Sequence, residues 1–121
     1  NFHAQFTSLK SILWCYLLNM DFEIRRNDSL SRFEIFVAGE LAGFADFKID
    51  GSVMALPHTV VEPQFGGKGI GGALVEFALN DARTNGLNVA PYCSFVAKAI
   101  SKNFAEYGDL VPKEYAHLLP A

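Results

Sequence analysis

The segment QFGGKGIGG, Gln64 to Gly72, contains five glycines and one lysine. Glycine lets a backbone take positive φ and approach a ligand closely. A glycine-rich turn at a helix start also points free N–H groups outward, where the helix dipole adds partial positive charge. The segment therefore predicts a site for a phosphate or pyrophosphate, to which Lys68 adds a full charge. The alternative is a plain strand-to-helix connection that binds nothing.

Two nucleotide-binding signatures resemble this segment, and both fail on their context. Gly67 to Gly72 fits the G-x-G-x-x-G fingerprint of dinucleotide sites. That fingerprint needs an acidic residue about 20 positions further on to bind the ribose, but no Asp or Glu lies between Gly86 and Phe104. The fingerprint also belongs to the first strand–helix unit of a parallel sheet, whereas antiparallel strands are predicted before the segment here. The P-loop fails because Gly69 stands where a serine or threonine would bind Mg²⁺.

Composition and charge exclude several classes of function. The chain has 121 residues, half of them hydrophobic, which predicts one domain with its own core. A net charge of -3 without a basic run lacks the footprint of a nucleic-acid binder. The apolar run Ile12 to Leu18 is shorter than the roughly 20 residues of a membrane span, so no membrane partner is expected.

The cysteines and histidines predict neither a metal nor a disulfide framework. Cys15 and Cys93 lie in unlike contexts, and the three histidines are scattered singly. We therefore expect no metal and a reducing, cytoplasmic compartment. Residues 1–19 are expected to be a non-native or flexible extension, and residues 20–121 a single domain. The alternative is an amphiphilic N-terminal helix that docks on the domain or on a partner.

The hydrophobic pattern places the glycine segment between a set of strands and a helix. Period-2 alternation predicts four strands joined by short turns, which form an antiparallel meander. These strands begin near residues 22, 33, 41 and 53. From Ile70 the period changes to 3–4 residues, which predicts a helix that ends at Asn85-Gly86.

The remaining chain predicts a short α/β (α+β) ending. Leu87 to Pro91 is apolar and predicts a parallel fifth strand, and Ser94 is the expected N-cap of a second helix. Asp109 to Pro112 is expected to be extended, and Glu114 to Leu119 to form one or two helical turns.

Three motifs in this context carry a family resemblance. Gln64-Phe65-Gly66-Gly67-Lys68-Gly69 fits the pattern Q/R-x-x-G-x-G/A in register, at a helix start after an antiparallel meander. On these features the chain resembles the GNAT superfamily of acetyl-CoA-dependent N-acetyltransferases. His58-Thr59, Pro91 to Val96 and Asn103 to Tyr107 are similar to motifs of its small single-domain YjdJ-type subfamily, which includes relatives known as N-acetyltransferase domain-containing protein 1.

The resemblance covers roughly residues 21–111, with one departure. Phe104-Ala105 stands where the subfamily usually has a proline. The resemblance implies that acetyl-CoA or CoA binds where the fourth and fifth strands part. Loop amides would then hold the pyrophosphate, and backbone beyond His58 would pair with the pantetheine arm. The residues implied in cofactor binding are Val60, Val61, Gln64, Gly66, Gly67, Lys68, Gly69, Ile70, Gly71 and Asn103.

The catalytic candidates are Cys93 and His58. Transfer of an acetyl group to an amine needs a neutral amine, donors for the developing oxyanion and a proton for the leaving thiolate. The resemblance puts the thioester between these two side chains. Either Cys93 is acylated, with His58 as a possible base, or the amine attacks directly and Cys93 only lines the cleft. Tyr92 and Tyr107 are weaker candidates as acids for the leaving thiolate.

These features predict a transferase that moves an acetyl group from acetyl-CoA to an amine. Its partners would be the CoA thioester and an amine acceptor. The alternative is a non-catalytic module that binds CoA or acetyl-CoA, because little chain follows the second helix to build an acceptor pocket.

Overall fold

The computed structural model describes residues 22–67 and 69–120. The expectation for residues 1–19 lies outside this part of the chain. Within it, five strands form one sheet in sequence order, and β4 pairs antiparallel with β3 and parallel with β5. The strands are β1 (Phe22–Asn27), β2 (Arg32–Val37), β3 (Glu40–Asp50), β4 (Val53–Val61) and β5 (Asn88–Ala90). The predicted meander and parallel fifth strand are confirmed.

Three α-helices follow the meander in the described residues. They are α1 (Ile70–Thr84), α2 (Ser94–Lys102) and α3 (Phe104–Tyr107). The predicted extended segment at Asp109 to Pro112 is wrong in its first half, because Gly108–Leu110 forms a 3-10 turn. Leu110 is buried in the core there, and the carboxylate of Asp109 receives two hydrogen bonds from Arg83 of α1. These contacts hold the chain in a tight turn.

Helix α1 covers one face of the sheet. Its buried residues recur at helical spacing, and the ring of Phe77 lies 5.9 Å from that of Phe33 on β2. Arg26 of β1 donates to Asp81 of α1 at 2.7 Å on the same side. The helix ends at Thr84 with Asn85 as its C-cap, and Gly86 follows with a φ of 69°, in the left-handed region that glycine tolerates. We call the covered side the helix face and the opposite side the far face.

A β-bulge in β4 decides which side chains reach each face. Ala55 pairs with Lys48, yet His58 pairs with Asp46, so β4 carries one extra residue between two pairs. Pro57 lies in this bulge, where its missing N–H costs no ladder hydrogen bond. Before the bulge Leu56 lies on the helix face. After it the alternation is shifted by one residue.

Candidate functional site

Strands β4 and β5 part soon after they pair. Ala55 and Ala90 form their last register pair, and one further backbone bond joins Cys93 N–H to the carbonyl of Leu56 at 2.9 Å. Beyond that point the chain of β5 leaves the sheet to enter α2. The divergence leaves an opening beside the second half of β4.

Cys93 lies at this opening, at the N-terminus of α2. It is the N-cap residue of the helix, and the predicted cap Ser94 is instead the first helical residue. The half-buried Sγ donates to Oγ1 of Thr59 at 3.5 Å. Burial alone would raise the pKa of the Cys93 thiol. Hydrogen bonding to the Thr59 hydroxyl and to the backbone N–H groups of Val96 and Phe95 outweighs burial, so the pKa is lowered.

His58 lies on the other side of the sheet. Its register partner Asp46 and its ring neighbour Phe44, at 6.4 Å, both belong to the far face. The His58 side chain is exposed. Thr59, paired with Ala45, lies on the helix face, where it contacts Cys93. The structure therefore does not bring the expected pair Cys93 and His58 together.

Thr59 is a site residue that the sequence argument missed. The signal was present, because a proline in the middle of a strand predicts a bulge, and a bulge changes the face on which each later residue lies. Counting through Pro57 would have placed Thr59, and not His58, beside the thiol.

The glycine segment forms the start of α1. Gly67 and Gly69 both have φ near 76°, and Gly69 is the N-cap residue. The N–H groups of Ile70 and Gly71 have no hydrogen-bond partner among the described residues. A side chain added at Gly67 would meet nothing within 4 Å, so the backbone can be approached directly from outside. Such a turn is suited to hold an anion.

Other residues predicted to bind the cofactor surround this turn. Gln64 belongs to the 3-10 turn Pro63–Phe65, and Gln64 and Gly66 are exposed. Val60 and Val61 form the end of β4, the strand from which β5 has parted. Lys68 lies outside the described residues.

Three elements converge at Gly71. A Cβ added there would lie 2.8 Å from Cζ of Phe95 on α2 and 3.2 Å from Cγ2 of Val61 on β4. A larger residue at this position would force the partly exposed Phe95 ring to move. The contact places the start of α1 directly beside the start of α2, two residues from Cys93. The glycine turn and the thiol are therefore neighbours.

A groove of about 390 Å³ runs between α1 and α2. Lys98 and Lys102 line it from α2, as does Asn103, whose Nδ2 donates to the carbonyl of Ala99 at 3.2 Å. Buried Glu76 and Tyr107 also line it. We call this cavity the interhelical groove. It begins beside Gly72, at the same end of α1 as the glycine turn.

Tyr107 is poorly suited to protonate a leaving thiolate. Its hydroxyl donates to Oε2 of Glu76 at 3.3 Å. Burial and the negative charge of Glu76 raise the pKa of Tyr107 well above the ordinary tyrosine value. A phenol with a raised pKa is a weak acid for a leaving thiolate.

Comparison with known families identifies the fold. The sequence profile of the GCN5-related N-acetyl-transferases matches residues 32–110. The chain belongs to this family of acetyltransferases. The match spans β2 to the turn after α3, and so includes the glycine turn, Thr59 and Cys93. The likeness to the YjdJ-type subfamily stays a prediction. No curated protein sequence matches the chain.

Solved structures of N-acetyltransferases resemble the described part of this chain. A GCN5-like protein of Staphylococcus aureus, solved by NMR, matches with a TM-score of 0.56 and 25% identity over 78% of this chain and 94% of that one. The ribosomal-protein-S18-alanine N-acetyltransferase of Escherichia coli matches with a TM-score of 0.47 and 24% identity over 48% of this chain. The chain spans only 38% of that enzyme.

A third structure is N-acetylglutamate synthase from Neisseria gonorrhoeae in complex with coenzyme A and N-acetyl-glutamate. It matches with a TM-score of 0.46 and 19% identity, over 84% of this chain and 26% of its own. Among the described residues of this chain, no helix is long and apolar enough to cross a bilayer.

Proposed function

We propose that this chain transfers an acetyl group from acetyl-CoA to an amine through Cys93. One observation carries the proposal. The Gly71–Phe95 contact sets the anion-binding turn of α1 beside the N-terminus of α2, where Thr59 contacts the thiol. A pyrophosphate and a reactive thioester sulfur belong to one CoA molecule, so such a cofactor needs both features close together.

The residues present fit CoA. The outward N–H groups at Ile70 and Gly71 suit the pyrophosphate, and the open approach over Gly67 gives it room. No described strand pairs with Val60 and Val61 on the side that β5 has left, and a pantetheine arm would follow their backbone there. Lys98 and Lys102 put two positive charges on the interhelical groove, which favours the phosphate-bearing nucleotide end there.

The lowered pKa of Cys93 favours the covalent route. A thiolate is the nucleophilic form, and a helix N-terminus stabilises it. Cys93 Sγ forms a bond to the acetyl carbonyl carbon, and the bond from that carbon to the CoA sulfur breaks. The released CoA thiolate takes a proton from solvent, which leaves Cys93 as a thioester.

The amine completes the reaction from the far face. The neutral amine nitrogen bonds to the carbonyl carbon, the bond from that carbon to Sγ breaks, and the Cys93 thiolate is restored. The amine nitrogen loses one proton. His58 is the base that we assign to this proton; because it lies on the far face and Cys93 on the helix face, the amine has to enter through the opening between β4 and β5.

Intact mass spectrometry tests the covalent route. The protein carries Cys15→Ser so that Cys93 is the only thiol, and it is mixed with acetyl-CoA and quenched in acid. We expect one acetyl adduct that is lost in Cys93→Ser and consumed when a primary amine is added. His58→Gln should form the adduct normally but consume it more slowly.

Binding of CoA, measured in parallel by calorimetry, separates the outcomes. If no adduct forms but amines are still acetylated, the amine attacks acetyl-CoA directly and the covalent route is wrong. CoA binding without an adduct and without any acetylated amine would show a non-catalytic CoA-binding module instead.

A further inference from the structure

A second cavity, of about 470 Å³, lies on the far face of the sheet. Its wall includes Lys48, Asp50, Ala55, Ala90, Tyr92 and Tyr115. We call it the far-face pocket. The mechanism above uses none of these side chains.

The position of the far-face pocket relates it to the transfer site. Ala55 and Ala90 are the last register pair before β4 and β5 part, and Tyr92 is the residue that precedes Cys93. Lys48 and Asp46 both lie on the far face of β3. Lys48 pairs with Ala55 and Asp46 pairs with His58, so Ala55 and His58 lie on the far face of β4. His58 therefore lies on the same face as the pocket, three residues along β4 from Ala55, which is about 10 Å at the usual rise of roughly 3.3 Å per strand residue.

The wall of the far-face pocket has the chemistry of a cation site. The rings of Tyr92 and Tyr115 pack edge to face with centroids 6.0 Å apart, and Tyr92 is 54% exposed. Asp50 makes no ion pair with any described residue. Aromatic faces and a carboxylate together attract an ammonium group.

The electrostatics of Tyr115 agree with this assignment. Its neighbour Tyr92 raises the pKa of Tyr115 most, followed by burial and the negative charges of Glu114 and Asp50. Lys48 is the opposing charge on the wall, but its side chain is exposed and flexible. Glu114 and Asp50 are thus the negative charges that act on Tyr115, and Lys48 is the positive charge on the same wall.

We propose that the far-face pocket binds a second positive charge of the amine acceptor, about 10 Å from the nitrogen that is acetylated. This inference rests on the proposed function, because it assigns the acceptor class of the same site. The acceptor is then a linear molecule with at least two ammonium groups, of the kind that polyamines represent. Tyr92, Tyr115 and Asp50 hold the remote ammonium while the reacting amine lies near His58.

Direct binding of spermidine tests the pocket without any need for catalysis. Calorimetry and NMR titration on the full chain measure its dissociation constant in the wild type and in variants. We expect Asp50→Asn and Tyr115→Leu to weaken binding roughly five- to tenfold. Tyr115→Phe keeps the ring and should bind normally, as should the control Glu40→Gln, which removes an exposed carboxylate at the start of β3.

Kinetics provide the second readout. In the wild type, spermidine should be acetylated with a higher kcat/KM than butylamine. Asp50→Asn should remove this difference. The rate with butylamine and the affinity for CoA should stay unchanged in Asp50→Asn. Spermidine binding that is absent, or equal in wild type, Asp50→Asn and Tyr115→Leu, would overturn the proposal even if butylamine is acetylated. Spermidine binding that depends on Asp50, without transfer to any amine, would support the pocket and refute the proposed transferase function.

Discussion

Thr59 Oγ1 and Cys93 Sγ lie 3.5 Å apart, and their contact joins β4 to the start of α2 across the opening between the strands. When the thiol ionises, the Thr59 hydroxyl becomes the donor to the thiolate. The backbone N–H groups of Phe95 and Val96, at the N-terminus of α2, also donate hydrogen bonds to the thiolate. Thr59 is thus a positioning residue that acts through Cys93.

Removal of the Thr59 hydroxyl should shift the pH profile of Cys93 alkylation upward. The thiol pKa is lowered in the wild type, so the thiolate and its reaction with iodoacetamide are present at a lower pH than for an ordinary cysteine. Thr59→Val deletes one of the lowering hydrogen bonds and keeps the side-chain shape. Rates measured in a Cys15→Ser background should therefore reach half their maximum at a higher pH.

Thr59→Ser is the matched control, because it keeps the hydroxyl and should keep the wild-type profile. An equal upward shift in Thr59→Ser and Thr59→Val would assign the effect to packing. No shift in Thr59→Val would remove Thr59 from the site.

The secondary structure of this chain could be predicted because its hydrophobic period changes at a clear point. Up to Val61 the hydrophobic residues alternate, and from Ile70 they recur at helical spacing. Each pattern places the apolar side chains on one buried face. The position of the glycine turn between a strand and a helix could also be predicted, and its role as an anion site stays a prediction. Cys93 is indicated by the family resemblance together with its place just beyond a short apolar strand.

The partner of Cys93 could not be predicted from simple alternation. The bulge at Pro57 exchanges the faces of His58 and Thr59, and the two adjacent residues carry different chemistry. The interhelical groove also depends on how α2 packs against α1, which is set by the contact of Gly71 with Phe95. Long-range packing of this kind leaves no period in the sequence.

Gly71→Ala should destabilise the protein although alanine favours helices. The added methyl gains up to about 1 kcal/mol of helix propensity. It would also lie 2.8 Å from the Phe95 ring, and such overpacking costs about 1–3 kcal/mol. We expect a lower melting temperature and weaker CoA binding, measured by thermal shift and calorimetry.

The double variant Gly71→Ala with Phe95→Leu makes this clash testable. A smaller side chain at 95 removes the clashing ring atoms and should restore part of the lost stability. Gly66→Ala is the control for stability, since its methyl would meet only the carbonyl of Pro63, at 3.4 Å. A double variant no more stable than Gly71→Ala would show that the Phe95 contact is not the cause.

Arg26→Lys should cost more stability than Arg25→Lys. Arg26 donates through Nε to Asp28 and through Nη1 to Asp81, both at 2.7 Å, and so ties the β1–β2 turn to α1. A lysine cannot make both contacts from one planar group. We expect the free energy of unfolding, from urea titrations, to fall by about 1 kcal/mol.

Arg25 is a control from the same strand and the opposite face. It lies over the Phe36 ring at 4.3 Å and pairs with exposed Glu23 at 3.3 Å. Arg25→Lys should change stability by less than about 0.5 kcal/mol. Equal losses in the two variants would contradict a role for Arg26 in tying the turn to α1.

Tyr107→Phe should flatten the loss of stability at alkaline pH. Burial and Glu76 raise the pKa of Tyr107, so the folded protein holds the phenol proton more tightly than the unfolded chain does. This contribution is complete below the ordinary tyrosine pKa of about 10 and is lost as the pH rises beyond it. The wild-type free energy of unfolding should therefore fall above that pH.

Urea titrations at a series of pH values measure both parts of the Tyr107 effect. At neutral pH, Tyr107→Phe should lose about 1 kcal/mol because the hydrogen bond to Glu76 is removed. Above the ordinary tyrosine pKa its stability should decline less steeply than that of the wild type, so the two curves converge. Parallel curves for wild type and Tyr107→Phe would show that the phenol proton at position 107 is not linked to folding.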